Sequence, residues 1–318
     1  MWEAAGPAGS DDFARAVRAG LAQRQKVIPA RYFYDDAGSR LFEDITRLPE
    51  YYPTRTETGI LRASAAEIAA AVGPGRVVVE FGSGSSAKTP LLLDAIQPAA
   101  YVPVDIAADF LAESAAALAA HVPDLPILPV AADFTRPFAL PDVPGPRLGW
   151  FPGSTIGNMG PMAAVDLLRS FAATLGAGSI LLIGLDLAKD AAVLEAAYND
   201  AQGVTAAFNL NLLTRINREL AGTIDVDAFA HEARWNPALS RIEMHLVARR
   251  ATRFSAAGAM FELAAGESIH TENSYKWTLA ESRLLARAAG WMPHAAWADP
   301  AGWFSVQLWA LPAAELAP

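Results

Sequence analysis

Cysteine is absent from the 318 residues, which removes disulfides, thiolate nucleophiles and Cys-ligated zinc together. Histidine is scarce: His121, His231, His245, His270 and His294 are scattered with no HxxxH-type spacing, so no metal is expected. A sustained Lys/Arg run is missing too, and the formal charge of −9 argues against nucleic acid or an anionic membrane as the main partner. The longest apolar runs, such as SILLIGLDLA, are far too short to span a bilayer. The opening MWEAAGPAGSDD lacks the basic and apolar regions of a signal peptide. These absences point to a cytoplasmic protein, expected to be a monomer, whose partner is a small molecule handled by oxygen and nitrogen groups.

What is present is apolar bulk: 53% of residues are hydrophobic and 19% charged, enough for one large domain with a smaller companion. From residue 77 strand-like and helix-like segments alternate. Strands are expected at RVVVEF (76–81), AYVPVD (100–105), PILPVA (126–131), RLGWFP (147–152) and SILLIGLD (179–186), with helical periodicity over 88–97, 107–120 and 161–175. Short apolar runs alternating with helices predict an α/β fold with a parallel, doubly wound sheet, whose ligands sit at the carboxyl ends of the strands. The pattern breaks from 189 to about 280, with helices at 189–202 and 206–220 and a strand-like run at 240–254. A last helix (278–290) then leads into two strands joined by an Asp-Pro-Ala-Gly turn. Residues 57–190 and 280–318 are therefore assigned to the sheet domain, and 1–56 with 191–279 to a second, substrate-binding domain.

The stretch VVVEFGSGSSAKTP (77–90) runs from a strand into a helix and fits three loops. Gly82, Gly84 and Ala87 satisfy a GxGxxA dinucleotide pattern, while Gly82, Lys88 and Thr89 come within one residue of a phosphate-binding loop. The third possibility is the glycine loop of an S-adenosylmethionine methyltransferase. Ala87 weakens the phosphate-loop reading because a Cβ disfavours the backbone such a loop needs, although SILLIGLD resembles a magnesium-binding strand ending in Asp186. Asp105, closing the second strand, meets the demand of an adenosyl or dinucleotide cofactor for a ribose-binding acid. Asp133 and Phe134 are placed to accept from an adenine amino group and to line the ring. The fourth strand runs into GWFPGSTIGNMG, where Asn158 could orient an amine or, before Pro161, cap the following helix.

Separated segments then carry a resemblance: RYFYDDAGSRLFEDITRLPEYYPTRTE (31–57), EFGSGSSAKT (80–89), FPGSTIGN (151–158), DLAKD (186–190), YNDAQGVTAAFNLN (198–211), RIEM (241–244) and TENSYK (271–276). The chain resembles the ergothioneine-pathway L-histidine Nα-methyltransferases. These use S-adenosylmethionine to convert histidine to its trimethylated betaine, hercynine. The resemblance implies a Rossmann-like class I methyltransferase sheet with an antiparallel last strand, plus a smaller α+β substrate domain. It places cofactor contacts on Gly82, Ser83, Gly84, Lys88, Asp105, Asp133 and Phe134, and substrate contacts on Tyr51, Asn158, Tyr198, Met244, Glu272, Asn273 and Ser274. Asn158 and Tyr34 fall beside the reacting amine and are the catalytic residues it implies. Glu272 can accept from, and Ser274 donate to, the two imidazole nitrogens, and residues two apart on an extended segment share a side. Phe81 and Met159 stand where the family commonly has Leu. The competing expectations are a methyltransferase of the same fold acting on another amino acid or amine, a binding module without turnover, and a magnesium-dependent NTPase.

Overall fold

The computed structural model describes residues 10–84, 88–136 and 138–313. In chain order the elements are α1 (Ser10–Leu21), β1 (Lys26–Val27), α2 (Asp36–Thr46), α3 (Tyr52–Ala63), α4 (Ala65–Val72), β2 (Val77–Phe81), α5 (Thr89–Ile96), β3 (Ala100–Asp105), α6 (Ala108–His121), β4 (Val130–Ala131) and β5 (Arg147–Phe151). They continue with α7 (Pro161–Leu175), β6 (Ile180–Asp186), α8 (Ala191–Tyr198), α9 (Val204–Glu219), β7 (Phe229–Asn236), β8 (Arg241–Ala248), β9 (Thr252–Ala256), β10 (Ala259–Leu263), β11 (Ser268–Tyr275), α10 (Leu279–Ala288), β12 (Met292–Ala298) and β13 (Phe304–Ala310). Among the described residues no helix is long and apolar enough to cross a membrane.

The chain divides into two compact units. The first holds Pro53–Ala188 and the residues from Lys276 onward; the second holds the described residues up to Tyr52 with Lys189–Tyr275.

The first unit is a seven-stranded α/β sheet in the order β12-β13-β6-β5-β2-β3-β4. Strands β2 to β6 run parallel, whereas β13 is antiparallel to β6 and β12 to β13. All residues of β2 and β6 are buried, as strands covered on both faces must be, and this is why they read as continuous apolar runs. One core cluster gathers Val78, Tyr101, Leu148, Trp150, Leu182 and Val306 from the sheet with Ile68, Leu92 and Ile96 from the helices. The run PILPVA forms only the two-residue β4. Around Pro126 the chain meets β3 through single hydrogen bonds, Tyr101 N–H donating to Pro126 O and Leu128 N–H to Tyr101 O, because each proline lacks the donor a regular ladder needs. From β2 the chain winds outward through β3 and β4, then returns to β5 on β2's other side. The gap between the carboxyl ends of β2 and β5 is therefore the point where strand order reverses, the position at which open α/β sheets bind ligands.

The second unit is built on a four-stranded sheet ordered β1-β11-β8-β7, with β1 parallel to β11 and the other pairs antiparallel. β9 and β10 form a separate hairpin. Helix α9 packs on β7, β8 and α2. The run 240–254 is thus two strands in different sheets, broken at Arg249–Ala251.

Candidate functional site

In the first unit β2 ends in two glycines with positive φ, Gly82 at +74° and Gly84 at +49°, a backbone that L side chains adopt only at a cost. The turn is pinned to the neighbouring strand, since Gly82 N–H and Ser83 N–H both donate to Val104 O (2.8 and 3.1 Å). Asp105 then joins the turn to its own strand end: Gly84 N–H donates to Oδ2 (2.9 Å) and Ala107 N–H to Oδ1 (3.0 Å). A half-buried carboxylate held at both oxygens still has lone pairs for two vicinal hydroxyls. A Cβ on Gly82 would stand 3.1 Å from Phe134 Cε1, so the glycine makes room for that ring. Phe134 in turn meets Phe151 edge-on, centroids 5.7 Å apart. Asp133 holds its own turn, its Oδ1 accepting from Thr135 N–H (3.0 Å) and Oγ1–H (2.5 Å). Ala87 lies outside the described residues.

Lys88 opens α5, and its ammonium forms an ion pair with Glu57 of α3. Glu57 is fully buried, and Gly153 N–H, in the loop after β5, is shared between its two oxygens (3.0 Å each). Gly184 of β6 creates the space for it, because a Cβ there would stand 2.1 Å from Glu57 Oε1. Nothing in the linear pattern singles out Glu57; its partners lie far along the chain. The pairing corrects the phosphate-loop reading of Lys88, whose charge meets a carboxylate of the protein itself. The magnesium reading of Asp186 fails similarly: Lys276 Nζ donates to Asp186 Oδ2 (2.8 Å) with both residues buried, and Asp186 N–H donates to Ser154 Oγ (2.9 Å). Glu80, beside the glycine turn, accepts from Tyr101 O–H (2.5 Å) and Thr89 Oγ1–H (2.7 Å). Burial pushes its carboxyl up to about 7, against the pull of those donors.

Asn158 ends a 3-10 turn, Thr155–Asn158. Gly160, not Asn158, is the N-cap of α7, so the capping role is excluded. The half-buried Asn158 amide forms no hydrogen bond with the described residues and is available to a ligand.

In the second unit an aromatic chain runs Tyr34–Phe42–Tyr51–Tyr198, successive centroids 5.7, 6.4 and 6.2 Å apart and each pair edge-on. Tyr198 O–H donates to Ser274 Oγ (2.7 Å). On β11 the register pairs Glu272 with Met244, Asn273 with Glu243 and Ser274 with Ile242. Because directly opposed residues share a face and successive ones alternate, Met244, Glu272 and Ser274 lie on one face of the sheet. Asn273 lies on the other. That second face is polar: Arg241 Nη2 binds Glu243 Oε1 (2.5 Å), Asn236 Nδ2–H donates to the same oxygen (2.9 Å), and His245 stacks on His270 at 4.8 Å. The strand therefore brings together Glu272, Ser274 and Met244, and separates Asn273 from them.

A family described as "Histidine-specific methyltransferase, SAM-dependent" matches residues 13–311. The chain belongs to that family. The histidine N-alpha-methyltransferase of Mycolicibacterium smegmatis is 47% identical over 301 residues, covering 90% of this chain and 91% of that one. Ergothioneine biosynthesis protein 1 of Neurospora crassa is 32% identical over 209 residues, 64% of this chain but 24% of that longer protein. Among solved structures, the CcbJ methyltransferase of Streptomyces caelestis superposes with a TM-score of 0.51 at 16% identity, over 88% of this chain and 100% of its own. That likeness concerns the fold, a class I methyltransferase sheet, and agrees with the seven-strand order and its antiparallel edge. The donor of this methyltransferase is S-adenosylmethionine, and the chemistry of the glycine turn, Asp105 and the Phe134 wall fits such a group: a fixed carboxylate would accept from a vicinal diol and an aromatic ring would line a purine.

Proposed function

We propose that the chain transfers methyl groups from S-adenosylmethionine to the α-amino group of L-histidine, three in succession, to give hercynine, the first step towards ergothioneine. The donor supplies an electrophilic methyl on a sulfonium. The protein's task is then to hold a neutral amine lone pair in line behind it, work of positioning more than of strong base catalysis. Asn158 and Tyr34 are assigned to orient the amine. Gly82, Ser83, Gly84, Lys88, Asp105, Asp133 and Phe134 are assigned to the donor. The second unit is assigned to the amino acid, with the phenols of Tyr51 and Tyr198 near its carboxylate and Glu272, Ser274 and Met244 around its imidazole.

The observation that carries this reading is the shared face of Met244, Glu272 and Ser274, with Tyr198 bonded to Ser274. A neutral imidazole has one N–H and one bare nitrogen. Glu272 accepts from the first. Ser274, hydrogen-bonded to Tyr198, is assigned to the second. Such a pair rejects side chains without both polarities, because the wrong ligand leaves buried polar groups unpaired. Asn273, on the far face, supports the strand from behind. Mass spectrometry of histidine incubated with protein and S-adenosylmethionine tests the proposal: gains of one, two and three methyl groups are expected, and no gain on histidine would refute it.

A further inference from the structure

Behind the imidazole readers lies a second tier of polar side chains. Asn209 of α9 is fully buried and Thr271 of β11 nearly so. Asn209 spends every hydrogen-bonding group: its Nδ2 meets His231 Nδ1 (2.9 Å) and donates to His245 O (3.1 Å), while its Oδ1 accepts from Thr271 Oγ1–H (2.8 Å). The Thr271 hydroxyl is shared with Met244 O (3.1 Å). At the far side of the ring His231 Nε2 lies 2.8 Å from Tyr198 O. A carbonyl only accepts, so Nε2 carries the proton and Nδ1 receives the Asn209 amide. The ring is neutral in this arrangement, in keeping with a basicity lowered by its burial.

The frame ends on the backbone of Tyr198 and Met244, and through Thr271 on the residue before Glu272. Its place in the sheet is specific. His270 and Glu272 pair with the consecutive residues His245 and Met244, so Thr271 is the extra residue of a β-bulge. A one-residue change of register moves every following side chain to the opposite face. Without the bulge, Glu272 and Ser274 would stand where Asn273 does.

We infer that Asn209, His231 and Thr271 are positioning residues for histidine recognition: they lock the bulge that turns Glu272 and Ser274 towards the substrate, and tie that bulge to Tyr198. This rests on the assignment of Tyr198, Met244, Glu272 and Ser274 to histidine. The test is calorimetric titration of L-histidine and, separately, of S-adenosylhomocysteine into Thr271→Val, Asn209→Leu, His231→Gln, His231→Leu and Glu272→Ala. Thr271→Val and Asn209→Leu are expected to weaken histidine by about tenfold or more, since each strands a buried polar partner, with S-adenosylhomocysteine affinity kept. A glutamine amide can both donate to Tyr198 O and accept from Asn209, so His231→Gln retains histidine affinity and His231→Leu loses it. Unchanged histidine affinity in Thr271→Val and Asn209→Leu, with Glu272→Ala impaired, overturns the frame alone. Unchanged affinity in Glu272→Ala overturns the site assignment beneath it. Loss of S-adenosylhomocysteine binding in all three positions of the frame overturns its local role.

Discussion

Glu80 offers the sharpest perturbation. It is 1% exposed at the end of β2, with its ionised form disfavoured by burial and its carboxyl raised from 4.5 to about 7. A folded-state value above the unfolded one means that the native protein binds the extra proton. The stabilisation is fully present below 4.5 and is lost as pH rises through 7. The whole difference corresponds to about 3 kcal/mol, of which about 2 kcal/mol falls between pH 5.5 and 8.5. Glu80→Gln mimics the protonated acid, keeps an oxygen for the hydroxyls of Tyr101 and Thr89, and cannot ionise. Urea unfolding of wild type and variant across that range is therefore expected to show the variant's stability relative to wild type rising by about 2 kcal/mol from pH 5.5 to pH 8.5. A stability difference that stays constant with pH would refute the reasoning, because the carboxyl would then have no raised affinity for its proton.

Other outcomes follow from the same geometry. Glu272→Ala removes a charged acceptor and is expected to weaken histidine by about 10- to 100-fold in calorimetry while S-adenosylhomocysteine binds as before. Lys276→Met takes the ammonium away from the buried Asp186, a loss of about 3–5 kcal/mol in urea unfolding, whereas Lys276→Met with Asp186→Leu recovers most of it. Gly184→Ala places a Cβ 2.1 Å from Glu57 Oε1. The displaced carboxylate loosens Lys88 and Gly153, costs about 1–3 kcal/mol, and weakens S-adenosylhomocysteine binding in the same titration.

The first unit was legible because its strands are buried on both faces. VVVEF, AYVPVD and ILLIGLD announce themselves as apolar runs, and strand ends carry Asp105 and the glycines to the switch point by topology alone. The second unit hid its strands. In β11, SIHTENSY, a buried face alternates with a polar one, and the Thr271 bulge breaks even that alternation, so neither periodic signal survives. β8 was legible but overrun, since the arginines after Ala248 continue the composition of a strand while the chain leaves the sheet. Asn273 is the instructive case. Sequence adjacency groups it with Glu272 and Ser274, but a period of two sends it to the other face.

Lys88 shows why residue type near a glycine turn is a weak guide to ligand charge. Its position at the start of α5 is that of a phosphate-binding lysine, and local sequence says no more. The deciding partner, Glu57, sits 31 residues upstream on α3 and is admitted only because Gly184, on a third element, has no side chain. A lysine already facing a buried carboxylate presents much less net positive charge than a phosphate-loop lysine. The same glutamate ties the Lys88 end of the glycine turn to Gly153, in the loop that leads to Asn158. One buried acid thus joins the glycine turn to the loop after β5 through tertiary contacts that no local motif encodes.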